Sequence, residues 1–157
     1  MPKRPFSLTL LSFLLLVLAF ACSRKGGDEE EIRRVVSGAA EAAEAKDVKG
    51  FMAHISREYK DDHGNGYDAV KGIIFYQFMR PGPLSVFVRG LDIEVKGQRA
   101  LVNARAALVR GRDKKGIGSV IPEDAEAYRF SLVFTKEDGR WRVFSAGWEA
   151  VGAAGLL

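Results

Sequence analysis

Cysteine is almost absent from this chain: 157 residues hold one, Cys22, and only two histidines, His54 and His63. A lone cysteine excludes an intrachain disulfide framework, and two histidines leave no ligand set for a zinc centre. A dominant charge of one sign is missing as well. Lys and Arg number 24 against 20 Asp and Glu, with both signs scattered along the chain despite a pI near 9.3. Nucleic-acid binding, which favours a clustered basic patch, is excluded on that ground. Proline is scarce after Pro83, where only Pro122 interrupts the sequence. The C-terminal half is therefore free to build long strands. A long apolar run is lacking too. Phe6 to Ala21 is 16 residues, interrupted by Ser7, Thr9 and Ser12, against the roughly 18 or more of a membrane-crossing helix.

What is present at the N-terminus gives the chain an address. Lys3 and Arg4 lead into the apolar stretch Phe6 to Phe20, which stops at Ala21-Cys22. Positive head, apolar middle and small end are the parts of a secretory signal peptide. Ala19-Phe20-Ala21-Cys22 resembles the cleavage box of bacterial lipoproteins, whose cysteine receives lipid and becomes the new N-terminus. The resemblance implies a bacterial cell-envelope protein, lipid-anchored through Cys22. Ser23 in the next place favours the periplasmic side of the outer membrane. The thiol supplies the nucleophile, and each buried methylene of the added chains contributes about 0.8 kcal/mol. An uncleaved apolar anchor and an unlipidated secreted product are the alternatives. Without residues 1–21 the loss of Lys3 and Arg4 takes the net charge from +4 to +2. What remains is one domain with a core of its own.

Residues 22–27 read as the modified cysteine and a flexible tether, 28–151 as the domain and 152–157 as a tail. Asp28, with Glu31 three residues on, forms a capping box for a first helix bearing Ile32, Val35, Val36, Ala39 and Ala43 at helical spacing. Asp47 caps a short second helix whose apolar side includes Phe51, Met52 and Ile55. Ser56 to Lys60 reads as a short extended piece and Asp61 to Gly66 as a loop. A third helix follows from Tyr67 to Met79, with Val70, Ile73, Ile74 and Phe78 inward, and Pro81-Gly82-Pro83 ends it.

From Leu84 the period changes to two. Leu84, Val86 and Val88 share one face; Leu91, Ile93 and Val95 have the opposite parity, so a bulge is expected at Arg89-Gly90. Gly97-Gln98 makes a hairpin turn into a strand with Val102, Ala104, Ala106 and Leu108. A polar loop from Gly111 to Asp124 precedes Tyr128, Phe130, Leu132 and Phe134, and Glu137-Asp138-Gly139 turns the chain into Arg140–Trp148. The class is α+β: three N-terminal helices on one side of an antiparallel sheet of four long strands plus one short strand.

This order of elements, with Tyr59-Lys-Asp-Asp-His-Gly64 before the third helix and the closing Trp141-Arg-Val-Phe-Ser-Ala-Gly-Trp148-Glu, resembles the nuclear transport factor 2-like superfamily over Glu29 to Val151. The resemblance implies a cone, with the three helices packed in a strongly curved sheet around an internal cavity, and Gly90 and Gly147 are places for the sheet to bend. It also implies two kinds of member: isomerases, dehydratases and polyketide cyclases that set Asp, His or Tyr against a small molecule, and proteins that only bind or assemble. Tyr59, Asp61 and His63 are the catalytic candidates, because a carboxylate can orient an imidazole that titrates near neutral pH. The competing reading is a solvated turn whose Asp and Asn cap the next helix. Calcium is excluded, since the twelfth loop position is Gly72 where a bidentate Glu is required. Gly64-Asn-Gly66 fits a loose dinucleotide fingerprint, but hairpins follow where parallel crossovers are needed.

Tyr128, Phe130, Trp141 and Trp148 are candidates to line a pocket for a small apolar ligand, with Asn103 and Arg105 as polar donors. Their competing roles are core for the aromatics and solvent-facing sheet for the polar pair. His54 reads as a packed or surface histidine; Arg112, Lys114 and Lys115 read as a solvated loop tip or a contact to anionic headgroups. The leading expectation is a non-catalytic, membrane-anchored binder of a small ligand or an envelope protein, without cofactor or metal, able to pair as a homodimer through the sheet. An isomerase, dehydratase or cyclase using Asp61 and His63 is the alternative; a structural envelope partner with a filled cavity is the third. An enzyme needs an open cavity with an unusual acid or histidine, a binder needs the cavity alone, and a structural partner shows an exposed apolar patch.

Overall fold

The first helix is already formed at Gly27, and the computed structural model describes residues 27–112 and 125–152. The expected signal peptide, Cys22, Lys114 and Lys115 lie outside them. Helix α1 covers residues 27–44. Helices α2 (Val48–Ala53) and α3 (Tyr67–Met79) follow, then strands β1 (Leu84–Lys96), β2 (Arg99–Arg110), β3 (Glu126–Glu137) and β4 (Arg140–Val151). The strands form one antiparallel sheet in the order β1-β2-β3-β4. The α+β class with helices before the sheet is as the sequence implies.

Local chemistry sets most boundaries. Asp47 caps α2, its carboxylate accepting the Gly50 N–H at 2.9 Å. Helix α3 stops at Arg80, whose extended backbone is what a residue before proline prefers. Asp138 and Gly139, with φ of 49° and 76°, make the tight turn between β3 and β4. The β1–β2 register slips between Arg89 and Asp92, around Gly90 at φ 55°. This is the expected bulge, and it moves Leu91, Ile93 and Val95 onto the face that Leu84 and Val86 occupy before it. A second slip lies in β4, where Phe144 is the extra residue between Val143 and Ser145. Gly147 pairs with Ser131, and the Asp62 carboxylate lies 3.3 Å from where a Cβ would be.

Two apolar clusters fill the space between helices and sheet. At the hairpin end Ile32, Val102, Phe134 and Trp141 are at most 1% exposed. Each such side chain contributes on the order of 2 kcal/mol. The second cluster joins α1, α3 and β1 through Ala43, Phe78, Leu84 and Val86, with Phe51 edge-on to Phe78 at 5.9 Å. His54 packs between α2 and α1: a Cβ at Gly38 would meet its ring at 2.9 Å. Burial holds its pKa below the ordinary value.

Three expectations need correction. Asp28 does not cap α1, since Gly27 before it is already helical; its carboxylate accepts from Trp141 Nε1 at 3.1 Å and from Lys136 Nζ, pinning α1 to the sheet. The extended piece at 56–60 is two isolated bridges, Ile55 to Val143 and Lys60 to Gly66, around a turn. Ile73 is 44% exposed rather than inward. Val70, Ile74 and Phe78 form one i, i+4 ridge against the core, whereas Ile73, Tyr76 and Met79 form an i, i+3 ridge rotated away from it. With Phe75, these side chains leave the outer face of α3 apolar and exposed.

Candidate functional site

The loop from Tyr59 to Asn65 is closed on itself. Asp61 is 5% exposed, and its Oδ1 accepts the backbone N–H groups of His63 and Asn65 at 2.9 and 2.8 Å. Its Oδ2 accepts Asn65 Nδ2 at 2.9 Å. Gly64 at φ 83° allows the chain to curl round the carboxylate. Burial alone would push the Asp61 carboxyl up, but the bonds from Asn65 and the His63 backbone, with the nearby imidazole, hold it below the ordinary aspartate value. The Asp and Asn of this loop do not cap α3, whose N-cap Gly66 offers no side chain. They brace the loop, and Asp61 is buried rather than solvated.

The other two catalytic candidates are spent differently. Tyr59 is buried in the core, its phenol hydrogen-bonded to the backbone of Ala146. Burial first, then the charge of Asp61, push its pKa up to about 12. The His63 ring lies against Trp148, with centroids 5.2 Å apart. Neighbours in sequence, the three present no joint acid–base face: one carboxylate is engaged on both oxygens, one phenol is buried, and one imidazole covers an indole.

The aromatic candidates divide. Trp148 and Phe130 are cross-strand partners, and Tyr128 lies 6.1 Å from Phe130, so these three form a strip on the helix-facing side of the sheet, with Trp148 41% exposed. Trp141 does not belong to it. It is fully buried with its indole N–H on Asp28. Asn103 and Arg105 are also corrected as pocket donors, since Val102, Ala104 and Ala106 are the buried parity of β2. Asn103 projects to the outer side and meets Ser131 Oγ at 3.2 Å, and the Arg105 guanidinium packs where a Gly90 Cβ would stand.

A cavity of about 510 Å³ opens elsewhere, where α2, α3 and the start of β4 meet. Its apolar floor includes Val48, Met52 and Ile55; Lys49, Arg57, Lys71, Arg140 and Arg142 stand around it, and no Asp, Glu or His lines it. Arg57 lies over the Tyr67 ring at 4.3 Å. Arg142 Nη1 donates to Glu137 Oε2 at 3.1 Å, while Glu137 Oε1 accepts Ser56 Oγ. That network fastens the 55–57 segment to the β3–β4 hairpin. Lys49, Lys71 and Arg140 have no carboxylate partner among the described residues. Sequence reasoning missed all five cations, because they come from four stretches of chain. One local sign was available: Arg140 and Arg142, two apart on a strand, share a side.

The model of the SnoaL-like domain matches residues 32–146. No curated protein matches the chain. Among solved structures, an NTF2-like protein of unknown function from Pseudomonas putida KT2440 aligns at 18% identity over 82% of this chain and 96% of that one, with a TM-score of 0.65. A protein named as a candidate scytalone dehydratase from Novosphingobium aromaticivorans aligns at 15% identity, over 79% and 84%, with a TM-score of 0.67. Another from that genus and species, named as a candidate aromatic ring hydroxylase, gives 12%, 82%, 95% and 0.61. At such identities the likeness is one of fold.

Proposed function

The chain belongs to the SnoaL-like domain family, and from that premise we propose that it is a membrane-tethered binding protein for a small ligand rather than an enzyme. The observation that carries the reading is the separation of acid from cavity. The one buried carboxylate of the candidate loop has both oxygens engaged by its own loop, and the 510 Å³ cavity has neither carboxylate nor histidine in its wall. A general acid or base must reach the proton it moves. A cavity of this volume falls within the range that holds small molecules. The names of the dehydratase- and hydroxylase-like neighbours keep catalysis as the competing reading. The tether rests on Lys3, Arg4, the apolar run and Cys22.

A thermal-shift screen of the full chain in neutral detergent, against organic anions and neutral apolar compounds, tests the binding role. A ligand that raises the Tm of wild type and of Asp61→Asn alike, and is recovered unchanged, supports it. A ligand converted by wild type and left intact by Asp61→Asn makes the protein an enzyme. Fatty-acid probe labelling, present in wild type and lost in Cys22→Ser, tests the tether.

A second reading, a structural partner at the envelope, is favoured by α3. Phe75, Tyr76 and Met79 are 56%, 70% and 67% exposed on one helix face, and contiguous apolar surface of this kind marks interaction sites. Pairing of two copies would then use α3 rather than the sheet. Cross-linking of wild type beside Tyr76→Ser distinguishes the two faces.

A further inference from the structure

We propose that the cavity between α2, α3 and β4 binds a phosphomonoester with an apolar body, the anionic group held by Lys49, Lys71 and Arg140 and the body lying on Met52 and Ile55. The inference rests on the binding reading and names its ligand. Five cations and no carboxylate line one cavity. A solvated protein surface intersperses both signs, and like charges brought together repel. Here the only carboxylate engaging any of the five among the described residues is Glu137, which takes Arg142. Arg57 is directed by Tyr67, whose ring face attracts its guanidinium and holds it beside the cavity. Lys49, Lys71 and Arg140 are left with their charge unanswered.

An anion from outside would answer it. A phosphomonoester carries roughly −1.5 to −2 charges near neutral pH and three acceptor oxygens, so it suits several converging cations better than a single carboxylate does. Lysines provide point charges and arginines donor forks, the two recognised ways of holding phosphate. The floor selects for the rest of the molecule: Val48, Met52, Ala53 and Ile55 offer hydrocarbon and no polar side chain, so the body that covers them loses little by leaving water. A nucleic acid would need the cations along a groove, whereas here all five line a single cavity. Such a phosphate could belong to a lipid headgroup or to a soluble metabolite.

Calorimetric titration of the full chain in neutral detergent with hexyl phosphate, inorganic phosphate and hexanol tests the proposal. Saturable binding of hexyl phosphate, about tenfold or more tighter than inorganic phosphate, is expected. In Lys71→Glu and Arg140→Glu that affinity falls about tenfold or more, and in the milder Lys71→Gln and Arg140→Gln several-fold, with Tm unchanged. Equal affinity in wild type and all four variants overturns the proposal. Hexanol binding as tightly as hexyl phosphate overturns it too, while leaving the binding reading intact; no saturable binding of either removes both. Competition by phosphatidylcholine vesicles containing phosphatidic acid identifies a lipid phosphate, and its absence a soluble phosphomonoester, either supporting the assignment.

Discussion

The loop at Asp61 and the cavity at Lys71 are opposite solutions to the problem of charge near an apolar core. In the loop one carboxylate collects three N–H donors from residues two and four positions away, and nothing is left to offer a ligand. In the cavity cations arrive from α2, the 55–57 segment, α3 and β4, and four of the five meet no carboxylate among the described residues. A charge answered by its own loop stabilises the fold. Charges gathered from distant segments and left unanswered are disposed to meet something else.

The largest effect that can sharpen this contrast is on stability. Asp61→Ala leaves two backbone N–H groups and the Asn65 amide without their acceptor, and should cost about 2–3 kcal/mol in denaturant unfolding. Next comes Glu137→Ala, which releases Ser56 and Arg142 together. It should cost about 1–2 kcal/mol, yet strengthen hexyl phosphate binding two- to threefold, because a fifth cation is freed. A weaker affinity in a folded Glu137→Ala protein would mean that Arg142 must be positioned rather than free.

Acid separates the same two regions. The folded Asp61 carboxyl lies below its ordinary value, so its contribution is present above about pH 4 and is lost as pH falls from there through the lowered value. The stability gap between wild type and Asp61→Asn should therefore shrink below about pH 4. His54 acts at higher pH. Its folded pKa is lowered by burial, so the unfolded chain takes up a proton first as pH drops below about 6.5, and stability falls from that point. His54→Phe should remove that slope, read from urea midpoints at a series of pH values. The smallest effect belongs to α3: Tyr76→Ser should change stability by less than about 0.5 kcal/mol, because the side chain is 70% exposed.

Legibility in the sequence followed the range of the interactions. The ends of α3 at Tyr67 and Met79, the Asp47 cap, the Asp138-Gly139 turn and the Gly90 bulge depend on neighbours within a few residues, and all were readable. Asp28 was misread because a capping box and a partner more than 100 residues away call for the same side chain. Ile73 was misread because an amphipathic count cannot say how much of a helix its neighbours cover. The alternation of β2 showed that Asn103 and Arg105 lie opposite the alanines, but not that the helices cover the alanine side. For the candidate site the failure was greater. Scattered charge looked like a reason to expect no basic cluster, whereas folding brings Lys49, Arg57, Lys71, Arg140 and Arg142 to one cavity.

Side-by-side titration of wild type, Asp61→Asn and Lys71→Glu with hexyl phosphate tests the account most directly. It predicts matching affinity for wild type and Asp61→Asn, with Lys71→Glu weaker by about tenfold at unchanged Tm. Loss of binding in Asp61→Asn with Lys71→Glu unaffected would contradict it, and return the site to the loop.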